Sequence, residues 1–235
     1  MDSHIAYLSN GDYKLFKGDS YVRLMPMVRD TGMVAANSAE LMGILTGSSK
    51  FRFGEEEEIR VTKHISTIDG IAYHYDGNRD GLCDKIKIVH NSDLLKNVDA
   101  PDKTKHGALV ISNGDYNRIE GDEFDVPKII KFVNRELRRY EALDNPLWKS
   151  IAGDDIYLLD SFVDTAYKVI AMEYKTDTAM AFYLNLNNNY KRYPLLRAIV
   201  ISGSNLGRRG KTFGKFSSNG DSNVSDITTL LGKRQ

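Results

Sequence analysis

Ile5-Ala6-Tyr7-Leu8-Ser9-Asn10-Gly11-Asp12-Tyr13-Lys14-Leu15-Phe16 reads as two short apolar strands around Asn-Gly. That pair favours a tight hairpin because both residues tolerate the positive φ of a type I′ turn. The turn letters return as Ser112-Asn113-Gly114-Asp115-Tyr116, and Gly18-Asp19-Ser20-Tyr21 returns as Gly121-Asp122-Glu123-Phe124, both at an offset of 103 residues. A weaker echo links Ile71–Tyr75 with Met180–Leu184, and Ile88–Asn91 with Ile199–Ser202. Echoes in the same order suggest one small unit used twice, although Asn-Gly-Asp is also ordinary turn chemistry.

Working outward from the hairpin, the pattern predicts a β-rich α+β chain. Strands are expected at Tyr21–Leu24, Lys50–Phe53, Glu57–Ile65, Ile71–Tyr75 and Lys85–His90. A helix is expected at Ser38–Leu45, capped by Asn37 or Ser38 and ended near Gly47. Residues 1–97 form the first expected unit, and 98–107, polar and carrying Pro101, form a linker. Residues 108–202 form a second unit of the same kind, giving two units of about 100 residues. Its clearest predicted helix starts at Asp125-Val126-Pro127 and ends near Pro146, with Ile130, Val133, Leu137 and Tyr140 at helical spacing. Leu158–Glu173 fits a helix or a strand. Ala179–Leu186 and Leu195–Ile201 read as a final strand pair. Residues 203–235, rich in Gly, Ser and Asn, read as an extended or disordered basic arm, so that deleting them should leave a folded chain.

The composition narrows function. The 235 residues carry 32 Lys and Arg against 32 Asp and Glu, so no net field recruits nucleic acid or membrane and any electrostatic recognition is local. No apolar run reaches the roughly 18–20 residues of a bilayer span, and the first residues lack a signal-peptide pattern. This points to the cytoplasm or a virion. The lone cysteine, Cys83, makes neither an internal disulfide nor a multi-cysteine zinc site. The sequence contains no Gly-x-Ser-x-Gly elbow, no Walker loop and no Gly-x-Gly-x-x-Gly motif, and its five histidines are dispersed. No catalytic residue is therefore assigned.

Three features suggest binding. Asp76, Asn78 and Asp80 fall at alternate positions of a glycine-bearing acidic turn, with Asp84 four residues on, a spacing that lets oxygens converge on a hard cation. The turn resembles the calcium loops of integrin-type propeller repeats, and that resemblance implies calcium. Its competing reading is a solvated hairpin turn, with Arg79 inside it. Lys128, Lys131, Arg135 and Arg138 fall on one face of the predicted 126–144 helix, where ordinary solvation competes with binding of an anionic partner. Finally, no acidic residue occurs between Asp177 and Asp221, whereas Lys191, Arg192, Arg208, Arg209 and Lys211 stand among Tyr190 and Phe213. Cations interleaved with aromatic rings suit phosphates and stacked bases. They suit an acidic protein surface equally well.

The preferred expectation is thus a non-enzymatic structural protein, a subunit of a homo-oligomeric assembly of viral or phage type, whose partners are itself or other assembly proteins. The alternative is a single-stranded nucleic-acid-binding protein using the basic aromatic segment. No cofactor beyond calcium and no membrane partner is expected.

Overall fold

The computed structural model describes residues 4–7, 13–18, 20–46, 65–75, 82–98, 104–105, 108–180, 184, 186, 193–201 and 228–234. Strands β1 (His4–Tyr7) and β2 (Tyr13–Gly18) form the expected antiparallel hairpin, with Tyr7 opposite Lys14. The spine of the molecule is β4 (Ile65–Tyr75), eleven residues of which only His74 is not buried. A strand buried on both faces needs layers on both sides and neighbours on both edges.

Along one edge β4 pairs antiparallel with β11 (Leu195–Ile201), from Leu195↔Tyr73 to Ile201↔Ile65. Its other edge is shared. At Ile65 and Ser66 it pairs in parallel with β12 (Thr228–Arg234), and from Gly70 to Tyr75 it pairs antiparallel with β5 (Cys83–Val89). Beyond β12 comes β2, while the short β3 (Met33–Ala35) pairs with the end of β12 on the edge opposite β2. Beyond β11 come β7 (Ala108–Val110) and β6 (Thr104–Lys105), and beyond β5 comes β8 (Asp122–Asp125). These ten strands make one sheet, while β9 (Glu136–Arg138) and β10 (Thr178–Met180) pair separately.

Helices cover both faces. On one side, α2 (Ser38–Leu45) packs with α6 (Arg139–Leu143), α7 (Pro146–Ile151) and α8 (Ile156–Tyr174) against Ile71, Tyr73, Ile86 and Ile199. Trp148, fully buried, meets the Phe162 ring at 5.3 Å there. On the other side, α1 (Tyr21–Asp30) covers Phe16, Ile68 and Leu230, and α3 (Asp93–Lys96) with α4 (Asn113–Arg118) covers Ala72, Val89 and Leu196. A short α5 (Val126–Ile129) follows β8 and runs into a 3-10 turn at Ile130–Phe132.

Where the shared edge of β4 changes from β12 to β5, Asp69 is 2% exposed. Its carboxylate accepts from the backbone N–H of Ser38 at 2.7 Å and of Asn91 at 2.8 Å. These two donors offset the desolvation of a buried carboxylate and tie the start of α2 to the turn after β5. Beside it, the Thr67 hydroxyl donates to the Ile199 carbonyl at 3.1 Å, at the bulge between Ala198 and Val200.

The structure corrects several expectations. Tyr21–Leu24 is helical: Ser20 caps α1 by accepting from Arg23 N–H at 3.3 Å, and Leu24, Met25 and Val28 form its buried stripe. No single helix spans 126–144. Asn134 takes a left-handed φ of 57° and its amide exchanges two hydrogen bonds with the Leu184 backbone at 2.7 and 2.8 Å, which draws the chain out of helical geometry into β9. The expected partnership of Ala179–Leu186 with Leu195–Ile201 is absent from the described residues, since β10 pairs with β9 and β11 with β4 and β7.

Within the expected linker 98–107, Val98 is buried and Thr104–Lys105 form β6, which extends the sheet. Strands from 1–97 and from 108–202 pair directly within one sheet, β4 with β11 and β5 with β8. Of the repeated letters, Ser112 and Asp115 form the capping box of α4, whereas Ser9, Asn10, Gly11 and Asp12 lie outside the described residues. The expected arm is the largest correction. Its residues 228–234 are β12, with Leu230 and Leu231 fully buried.

Candidate functional site

Strand register assembles a polar cluster on the sheet face opposite Tyr73 and Ile86. His74 lies across from Lys85 and Ala72 from Lys87, while Lys87 lies across from Glu123 and Lys85 from Asp125. Side chains alternate along a strand, so His74, Lys85, Lys87, Glu123 and Asp125 share one face. Asp84 joins them because the register shifts there, between the His74↔Lys85 and Tyr75↔Cys83 pairs. Such an extra residue turns a side chain toward a face it would otherwise leave.

His74 Nδ1 and Asp84 Oδ1 are 2.8 Å apart. Helix α4 lays Tyr116 across the group, its ring 5.1 Å from that of His74 and 4.6 Å from the Lys87 ammonium. Lys87 donates to the carbonyls of Tyr116 at 3.0 Å and Ile119 at 3.4 Å, satisfying the C-terminal end of α4. Lys85 donates to Glu123 at 3.0 Å, and the Tyr116 hydroxyl donates to the other Glu123 oxygen at 3.4 Å. The hydrogen bond from Lys85 holds the Glu123 carboxyl below the usual glutamate range, and Glu123 in turn raises the Lys85 ammonium. Burial, then the Glu123 charge, pushes the Tyr116 phenol upward.

A histidine–carboxylate pair orients an imidazole for proton transfer, but nucleophilic chemistry also needs an activated partner. Cys83, buried next to Asp84, donates to the Lys85 carbonyl at 3.2 Å, and burial pushes its thiol up to about 12. A thiol so placed stays protonated at neutral pH. A neighbouring cluster sets Ser150 Oγ 2.5 Å from Asp122, with His90 Nε2 at 3.9 Å from the same oxygen. Both groups approach the same carboxylate oxygen, and among the described residues no hydrogen bond joins the imidazole to the hydroxyl.

The strands also define an end. Both β5 and β11 run antiparallel to β4, so they begin near its end, β5 opposite Tyr75 and β11 opposite Tyr73. Leu82 and Tyr193, just before those starts, are each 53% exposed. Leu186 is held there too, its carbonyl accepting from Cys83 N–H at 3.3 Å.

The basic residues expected on one helix face are dispersed. Lys128 in α5 pairs with Asp125 at 2.5 Å, and Lys131 lies 5.0 Å from the Phe132 ring. Arg135 pairs with Glu141 at 3.4 Å, and Arg138, in β9, lies 4.0 Å from Asp177. Tyr190, Lys191, Arg192, Arg208, Arg209, Lys211 and Phe213 lie outside the described residues, as do Asp76, Asn78 and Asp80. Asp84 is described and faces His74. Among the described residues, no three His, Cys, Asp or Glu side chains are grouped to hold a metal ion. His74, Lys87, Tyr116 and Glu123 escape sequence reading because register and helix placement, not spacing, bring them together. The one local signal was the alternation of Lys85 and Lys87 with Ile86 and Ile88.

No helix of the described residues is long and apolar enough to cross a membrane. No family model matches the chain, and no curated relative matches it. Among solved structures, it is similar to one described under "Accommodation of massive sequence variation in Nanoarchaeota by the C-type lectin fold". The TM-score is 0.62 at 13% identity, over 97% of this chain and 100% of that one. At that identity the likeness concerns architecture: a mixed α/β chain with a large sheet, similar to the C-type lectin fold.

Proposed function

We propose that this chain is a non-enzymatic assembly protein that meets further copies of itself through the end of the sheet where β4 stops and β5 and β11 begin. The observation carrying the proposal is the pair of half-exposed apolar side chains, Leu82 and Tyr193, at the starts of the two strands flanking β4. A leucine and a tyrosine set just before two core strands offer apolar area and an aromatic anchor, which suits a protein interface. The solved relative is described as a fold that accommodates massive sequence variation, and the 13% identity over nearly the whole chain agrees with a framework that bears very different surfaces.

The test is light scattering coupled to size exclusion on the wild type and on Leu82→Asp with Tyr193→Asp. The variant is expected to keep its circular dichroism while its mass falls toward that of one chain. A wild type that is monomeric throughout, or a variant of unchanged mass, overturns the proposal. The alternative reading rests on the acid-free run between Asp177 and Asp221. A single-stranded oligonucleotide that shifts the wild type at low salt and not at high salt would favour it.

A further inference from the structure

Strand β12 is bonded from several sides. It pairs antiparallel with β2 from Thr228↔Gly18 to Lys233↔Tyr13, antiparallel with β3 at Gly232–Arg234, and parallel with β4 at Thr229 and Leu230. Leu231 fills the main core with Leu15, and Leu230 fills the opposite layer with Phe16. Lys233 forms an ion pair with Glu40 of α2. Among the described strands, β2 pairs with β1 and β12 only, and β3 with β12 only. Strand β12 therefore joins the β1–β2–β3 group to β4.

The covalent route to β12 is long. Residues 202–227, 26 in number, separate Ile201 at the end of β11 from Thr228. The two strands flank β4, a separation of about 10 Å at ordinary strand spacing. A chain of that length, fully extended, reaches roughly 90 Å. The connection thus does not dictate which copy's sheet receives the strand.

We propose that β12 is exchanged between copies, the strand of one chain completing the sheet of another between its β2 and β4. This inference rests on the assembly reading above and names the element that would lock the copies together. Exchange preserves every ladder bond and both buried leucines, so the closed and exchanged forms differ mainly in the entropy of the connection, as in other domain-swapped oligomers. A tether holds its strand at an effective concentration on the order of millimolar. Copies brought together by their exposed strand ends reach comparable local concentrations, and exchange then competes with closure.

The test uses register partners in a Cys83→Ser background. One tagged chain carries Tyr13→Cys and a second, differently tagged, carries Lys233→Cys; the two face each other across β2 and β12. They are co-expressed, oxidised and run on a denaturing gel. The expected product is a covalent species carrying both tags and lost on reduction. A control chain carrying both substitutions establishes that the pair can link, and Lys17→Cys with Thr229→Cys repeats the test at the other end of the ladder. Internal links in the control without a two-tag product overturn exchange. If light scattering still shows an oligomer in that case, the assembly reading stands without exchange; a monomer removes both.

Discussion

At Gly121 a single methyl group has no space. A Cβ built there lies 2.3 Å from the Ile88 carbonyl oxygen and 3.1 Å from its carbon, and both are backbone atoms of β5. No rotamer change relieves such a clash, so β8 would have to move away from β5. Gly121→Ala is therefore expected to cost about 2–3 kcal/mol, the upper part of the range for an overpacked core. For a chain of this size that lowers the Tm by roughly 4–12 °C in calorimetry. A shift below one degree would mean that β8 yields freely.

Glu123, next to it, makes a prediction about pH. The hydrogen bond from Lys85, helped by Lys87 and the Tyr116 hydroxyl, lowers its folded pKa below the usual 4.5. A depressed carboxylate stabilises the fold above its unfolded pKa and loses that contribution as pH falls through the folded value. Since 38% of the side chain is exposed, screening limits the effect to at most about 1 kcal/mol. Glu123→Gln should lower urea stability at pH 7, and the deficit should shrink once the pH drops below 4.5. An equal deficit at pH 7 and pH 3 would remove the charge from the explanation.

At the level of elements, local chemistry was readable where it decided the outcome alone. Helix α2 spans Ser38–Leu45 as expected, because Asn37 and Glu40 complete a capping box that a sequence displays directly. Strand β11 spans Leu195–Ile201 as expected from its apolar run, and the ambiguous stretch after Leu158 resolves as α8, capped by Asp155. Elements decided by distant partners were not readable. The residues of α1 could alternate as a strand, and only the apolar surface of β2, β3 and β12 selects the helix. Likewise Asn134 leaves the helical path for Leu184, fifty residues on. The site follows the same rule. Asp84 stood out as a candidate metal ligand, yet its partner His74 is set by a bulge in the β4–β5 register, and Tyr116 arrives on α4, 42 residues beyond His74.

At the scale of the whole molecule, the decisive feature is that the two ends of the described chain meet inside one sheet, β2 against β12. Composition hid this, because a Gly- and Ser-rich stretch leading into Thr228-Thr229-Leu230-Leu231 looks like an arm when its partners lie about two hundred residues earlier. A chain ending at residue 227 lacks the strand that joins β1–β2–β3 to β4, and it exposes Leu15, Phe16 and Ile65, all fully buried when β12 is present. Losing Leu230 and Leu231 alone removes two side chains worth about 2–5 kcal/mol each when truncated to alanine. That sum approaches the whole stability of a typical domain, about 5–15 kcal/mol. The truncated chain should therefore lose the near-ultraviolet signal of Trp148 and unfold in urea without the wild type's cooperative transition. Adding a peptide of residues 228–234 in trans should restore part of that signal if the β12 slot forms on its own. A truncated chain with a wild-type urea transition would show instead that β2 and β4 hold together without β12.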